Sequence, residues 1–152
     1  MKPDQLATIR YLNREYTEVL GLLSKNVFDI NLSWPESRIL LTIKSENLKT
    51  VNEVSVFLNI DKSYTSRLIN HLLKKGLIDK TPSDKDRRSN ILTLTSEGKL
   101  LCQKLDTESD DQIEKLLGSL DSHQKQQFYD AIITINQLLF EGGQSHVAHR
   151  KV

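Results

Sequence analysis

Residues 50–94 read TVNEVSVFLNIDKSYTSRLINHLLKKGLIDKTPSDKDRRSNILTL, and this stretch decides the fold. Thr50-Val51-Asn52-Glu53 has capping-box spacing, in which the Thr hydroxyl and the Glu carboxylate satisfy each other's backbone amides at a helix start. The short helix it opens carries Val54, Phe57 and Leu58 and breaks at the polar Asn59. Asp61 is placed to cap a second helix. In that helix Thr65, Leu68, Ile69 and Leu72 share one face, while Ser63, Ser66, Arg67, Asn70 and Lys74 share the other. Gly76, after Lys74-Lys75, supplies its C-terminal stop. The period then changes: residues 77–81 and 90–94 read as strands, joined by the charged run Pro82-Ser83-Asp84-Lys85-Asp86-Arg87-Arg88-Ser89. Short helix, polar turn, helix and hairpin make a helix-turn-helix followed by a wing.

Such a motif lays its second helix in the DNA major groove, so the outer face of that helix must be rich in hydrogen-bond donors. Lys62, Ser63, Tyr64, Ser66, Arg67 and Asn70 are all polar or basic, with no carboxylate among them. An arginine there can bond guanine O6 and N7 bidentately, and an asparagine suits adenine. Asp61 is explained by its capping role. At the hairpin tip, Lys85, Arg87 and Arg88 can reach phosphates or a narrow, electronegative minor groove. Asp86, two residues before Arg88, can hold its guanidinium in a fixed bidentate pose, which lowers the entropy lost on docking.

Outward from the motif, the chain is helical. Leu6, Ile9, Leu12, Tyr16, Val19, Leu20, Leu23 and Val27 recur at steps of three and four, which predicts a long amphipathic helix over residues 6–27. Ser33-Trp34-Pro35-Glu36 is a further capping box with proline at the tolerated first position, opening a helix to about Ile43. Thr95 caps a long helix through Leu100, Leu101, Leu105, Ile113, Leu116 and Leu117. Asp121 opens a last one through Phe128, Ile132, Ile135 and Leu139, ended by Gly142-Gly143 and a frayed tail over residues 142–152. The expected fold class is therefore mainly α (α+β), a winged helix-turn-helix lobe over residues 33–95 between long N- and C-terminal dimerisation helices at 4–30 and 96–141. These flanking helices carry more apolar stripe than a winged-helix lobe can cover, so a second copy is the natural sink, with two recognition helices about 34–36 Å apart.

The 152 residues fit one domain of ordinary size, and 38% hydrophobic with 27% charged residues marks a folded, globular chain. The lone Cys102 rules out an internal disulfide and any cysteine-rich zinc box, and no stretch is apolar enough to span a membrane, so a cytoplasmic protein is expected. The net charge of +1 looks uninformative. Divided along the chain, residues 61–99 carry nine Lys/Arg against five Asp/Glu, whereas residues 100–141 carry three against eight. Positive charge is concentrated where DNA would bind.

At four places the sequence resembles the multiple-antibiotic-resistance regulator (MarR) family of winged-helix transcription factors: Asp61-Lys62-Ser63-Tyr64-Thr65-Ser66-Arg67, Leu72-Leu73-Lys74-Lys75-Gly76-Leu77-Ile78, Asp84-Lys85-Asp86-Arg87-Arg88 and Leu94-Thr95-Ser96-Glu97-Gly98. The D-x-R wing followed by L-T-x-x-G at this spacing is the specific part. The resemblance implies an obligate homodimer, a palindromic operator on double-stranded DNA, repression, and relief by a small ligand or an oxidant. It also implies that Arg88 is a minor-groove arginine oriented by Asp86. Ser55 stands where the family more often has alanine.

Other candidates are weaker. Cys102 lies among Leu100, Leu101 and Leu105, the setting of a buried small hydrophobe more than of a redox sensor. His146 and His149 have ligand spacing but no neighbouring carboxylate or cysteine, His123 stands alone, and His71 belongs to the recognition-helix flank, so neither a metal nor a cofactor is expected. Trp34, Tyr11 and Tyr16 are candidates for an aromatic effector pocket, with core packing the commoner role for such residues. No phosphate loop, nucleophile elbow or paired-carboxylate arrangement supports an enzyme. The alternatives to a regulator are a winged helix that binds protein, or an accessory subunit; neither needs the donor face and wing arginines that this chain carries.

Overall fold

The computed structural model describes residues 1–22, 28–82 and 90–141. Helix α1 (Pro3–Val19) is followed by α2 (Trp34–Glu46), α3 (Val51–Leu58) and α4 (Lys62–Lys74). Strands β1 (Ile78–Pro82) and β2 (Asn90–Leu94) then lead into α5 (Ser96–Leu116) and α6 (Ser122–Asn136), and α6 runs on into a π-helical turn over Gln137–Glu141. The two strands pair antiparallel, from Ile78 opposite Leu94 to Pro82 opposite Asn90. This is a winged helix-turn-helix with long helices on either side of it.

Each capping box expected in the winged lobe forms. The Ser33 and Thr50 hydroxyls accept from the Glu36 and Glu53 amides while those carboxylates accept from the cap amides. Asp61, Thr95 and Asp121 likewise cap α4, α5 and α6. Helix α2 runs three residues past Ile43 and stops at Asn47, whose left-handed φ of 52° ends it. Asn59, at φ 51°, does the same for α3 and makes the turn of the motif. Asparagine tolerates this region because its short side chain can bond locally. Strand β1 begins one residue later than the periodicity suggests. The Leu77 amide is used in closing α4, donating to the Leu72 carbonyl at 3.0 Å, while Gly76 takes a left-handed φ of 68°.

The first helix is shorter than the sequence predicts. It ends at Val19, because Gly21 adopts φ 63° and the Leu20 and Gly21 amides turn back to Tyr16 and Glu18. Phe28 and Asp29, also at positive φ, then redirect the chain, and the Trp34 indole N–H fastens α2 to the Gly21 carbonyl at 2.9 Å. The remainder of the predicted helix, residues 23–27, and the Gly142-Gly143 stop with the tail lie outside the described residues.

The core is built from the inner faces of α2, α3 and α4, the hairpin and the start of α5. Leu32, Ile39, Leu40, Val54, Ile69, Leu72, Ile78, Leu92 and Leu105 are buried, each contributing about 1.5–3 kcal/mol. Cys102 is fully buried among them, and burial pushes its thiol above the ordinary range, the opposite of a reactive thiolate. Helices α1 and α6 bury no residue at all within the chain.

Glu36 ties the recognition helix to α2. One of its oxygens accepts from the Ser33 amide and hydroxyl at 2.8 Å, and the other meets Lys75 Nζ at 3.3 Å. Burial pushes this carboxyl up, but the Ser33 hydrogen bonds and Lys75 outweigh it and hold the group below its usual range. A carboxylate so held stabilises the fold above its unfolded-state pKa, and that contribution is lost as pH falls through the folded value. Glu36→Gln should therefore lower the urea midpoint at neutral pH, with a cost of about 1–3 kcal/mol. The gap from wild type should close on acidification; a pH-independent gap would show that packing, not charge, is responsible.

Gly98 lies against the turn after α4, where an added Cβ would collide with the Leu77 carbonyl oxygen. Neither backbone can yield without moving α5 away from the hairpin. Gly98→Ala is expected to cost about 1–3 kcal/mol, read as a drop in melting temperature; an unchanged melting temperature would disprove the close approach.

Candidate nucleic-acid interface

Helix α4 turns Thr65, Leu68, Ile69 and Leu72 inward and is closed at its start by Asp61, whose Oδ1 accepts from the Tyr64 amide at 2.8 Å. Thr65, fully buried, donates its hydroxyl to the Asp61 carbonyl at 2.9 Å, which satisfies the polar atom that the core would otherwise penalise. With one face locked inward, the other is presented to solvent. Lys62, Ser63, Tyr64, Arg67 and Asn70 are exposed, and Ser66 is half-buried. The structure thus brings all six recognition-helix candidates onto one element, and the capped amino end, where helix amides favour an anion, carries the basic Lys62.

Arg67 has a neighbour that sequence reading did not assign. Its guanidinium lies 5.6 Å from the centre of the Tyr64 ring, a cation–π distance set by the three-residue spacing on the helix. His71, the flank histidine, sits further along α4 with Nδ1 at 3.8 Å from Glu36, so it belongs to the junction with α2.

The wing is anchored through its second strand. Five residue pairs hold β1 to β2, and the Leu92 amide donates to the Lys49 carbonyl at 2.7 Å, joining β2 to the loop between α2 and α3. The expected tip residues Lys85, Asp86, Arg87 and Arg88 lie outside the described residues, which resume at Asn90.

Behind the recognition helix is a cavity of about 510 Å³ between α2, the α3–α4 turn and α5, walled by Phe28, Trp34, Leu41, Ile60, Tyr64 and Leu105. Phe28 meets Trp34 edge-on, ring centres 6.1 Å apart. Ser37 and Arg38 bring polar groups to the wall. Ser37 is 1% exposed, and its hydroxyl has no hydrogen-bond partner among the described residues. Of the three aromatics singled out in the sequence, Trp34 lines this cavity. Tyr11 and Tyr16 line neither it nor the core; they stay exposed on α1, 59% and 40%, because α1 buries none of its residues within the chain. Phe28, Ser37, Arg38, Leu41, Ile60 and Tyr64 are among the wall residues missed. The signal available was on α2, where Trp34, Ser37 and Leu41 recur at steps of three and four, so that a polar residue shares a buried stripe.

No helix among the described residues is long and apolar enough to cross a membrane. The MarR family model matches residues 30–89, the segment from the approach to α2 up to the start of β2. An HTH-type transcriptional regulator of Bacillus subtilis (strain 168), YdgG, is 26% identical over 125 residues, covering 81% of each chain. Among solved structures, apo wild-type MarR from E. coli superposes with a TM-score of 0.71 at 19% identity, covering 89% of this chain and 96% of that one. FabT of Streptococcus pneumoniae, solved in complex with DNA, gives a TM-score of 0.63 at 22% identity, covering 91% and 95%. At those identities the two structures establish the fold. Together with the family match over residues 30–89 and the similar regulator, they support a winged-helix, DNA-binding transcription regulator that is similar to those of the MarR family.

Proposed function

We propose that the protein is a cytoplasmic, homodimeric repressor that binds a palindromic operator, α4 in the major groove and the wing tip in the adjacent minor groove. The observation that carries this reading is the exposed, carboxylate-free donor face Lys62, Ser63, Tyr64, Arg67 and Asn70, held on a helix whose opposite face is locked in the core. Ser66 flanks it, and Lys85, Arg87 and Arg88, with Asp86 orienting Arg88, supply the second grip.

Dimerisation is supported by what the single chain leaves uncovered. Leu6, Ile9, Leu12, Tyr16 and Val19 on α1 are 40% exposed or more, and Ile133, Ile135, Leu138 and Phe140 stand out at the other end. Exposed apolar stripes of this extent belong in an interface, and a two-fold pair sets two α4 helices one DNA turn apart. The acidic segment 100–141 then lies in the helices that hold the dimer, away from the reading heads.

The cavity supports relief of repression by a small aromatic effector. Its apolar wall suits a flat ring, the unpaired Ser37 hydroxyl gives that guest one hydrogen bond at depth, and Arg38 meets an anionic substituent.

Selection of duplexes from random DNA tests the function directly: a palindrome with half-sites about ten base pairs apart is expected, and an unenriched pool would favour a protein-binding winged helix. On the selected duplex, Arg67→Ala should cost about 1–3 kcal/mol and relax preference at one position per half-site, whereas Arg88→Ala should weaken binding severely with the dimer intact. Equal weakening by Arg67→Ala on all sequences would make it a phosphate contact, and wild-type affinity of Arg88→Ala would remove the wing from the interface.

Leu12→Glu places a charge on α1 without touching the core of the chain. Light scattering should show a folded monomer with weakened operator binding; a dimer of unchanged stability would move the interface elsewhere.

A further inference from the structure

Tyr64 occupies two environments at once. It stands in the first turn of α4, its amide fixed by Asp61 at 2.8 Å, and its ring is part of the wall of the 510 Å³ cavity. The same ring lies 5.6 Å from the Arg67 guanidinium. Arg67 is exposed, and among the described residues no carboxylate pairs with it. The ring face is therefore the one described group that restrains this long side chain before DNA arrives. A free arginine loses rotamer entropy when it docks on a base edge, and one already laid against a ring loses less. The electrostatic pull of the ring on the cation acts without competing for the guanidinium N–H donors that a guanine needs.

The remainder of the wall makes this contact conditional. Tyr64 is 39% exposed and lines the cavity together with Trp34 and Leu41, and its hydroxyl makes no side-chain hydrogen bond among the described residues. A ring that turns to accommodate an aromatic guest in the cavity withdraws support from Arg67.

We propose that Tyr64 is the positioning residue for Arg67, and that through this one ring a guest in the cavity releases the arginine from its base-reading pose. The inference rests on the reading of Arg67 as a base-contacting residue given above. Occupancy thereby changes sequence discrimination first, with phosphate-driven affinity changing less.

The test compares full-length wild type, Tyr64→Phe, Tyr64→Leu, Arg67→Ala and the double variant Tyr64→Leu/Arg67→Ala. Each is titrated on the duplex selected by the wild type and on a scrambled duplex, with circular dichroism confirming the fold. The discrimination ratio between the two duplexes is expected to fall roughly two- to fivefold in Tyr64→Leu, the weight of an exposed cation–ring contact. Tyr64→Phe, which keeps the ring face and loses only the hydroxyl, should retain more of the ratio than Tyr64→Leu, and the double variant should match Arg67→Ala. Losses that add in the double variant, or a Tyr64→Leu loss equal on both duplexes, would overturn the positioning role while leaving Arg67 as a reader. An Arg67→Ala ratio equal to wild type would overturn the base-contact reading itself. For the cavity arm, the aromatic anion 8-anilinonaphthalene-1-sulfonate, its binding followed by fluorescence, should lower the ratio of wild type and Tyr64→Phe but not of Tyr64→Leu. Absence of binding, or an equal effect on all three, would overturn transmission through the ring.

Discussion

The winged lobe depends on the Thr95 hydroxyl. It donates to the Gly76 carbonyl at 2.7 Å and accepts from the Gly98 amide at 3.0 Å, while the Thr95 amide donates to the Leu77 carbonyl at 3.2 Å. The end of the recognition helix, the end of the second wing strand and the start of the long α5 helix thus meet on one residue. A hydroxyl is needed because the junction requires a donor and an acceptor on the same atom. Glycine is needed at 98 because the Leu77 carbonyl lies where a Cβ would be, and at 76 because φ is 68°. Any rotation of α5 must pass through this junction to α4 and the wing together.

A second tie works at the other side of the lobe. Glu36, capping α2, reaches Lys75 at the end of α4, and Lys75 also donates to the Asn31 carbonyl at 2.7 Å. Helix α4 is therefore gripped at its C-terminal end by two elements, while its N-terminal turn is held by the Asp61 cap and the buried Thr65.

Local features were the most legible in the sequence. The capping residues Ser33, Thr50, Asp61, Thr95 and Asp121 all stand at helix starts, because capping is a matter of three or four consecutive residues. The donor face of α4 was readable for the same reason, since a helix of known phase assigns its own faces. The excess length given to the first helix came from following apolar periodicity through Gly21, where a backbone turn overrode a continuing pattern of leucines. The wing-tip assignment of Lys85, Asp86, Arg87 and Arg88 still rests on sequence.

By itself the sequence determined the order of helices and strands, the donor-rich outer face of α4 and the division of charge into a basic motif and an acidic helical segment, all set by neighbours within a turn or two. Tertiary structure decided what lies between elements. It made Trp34, Ser37 and Tyr64 the walls of one cavity, set the Arg67 side chain over a ring, and left Tyr11 and Tyr16 on an uncovered helix. Periodicity tells which side of a helix is apolar. Only packing tells which apolar surface finds a partner within the chain, because that depends on distances between segments far apart in sequence.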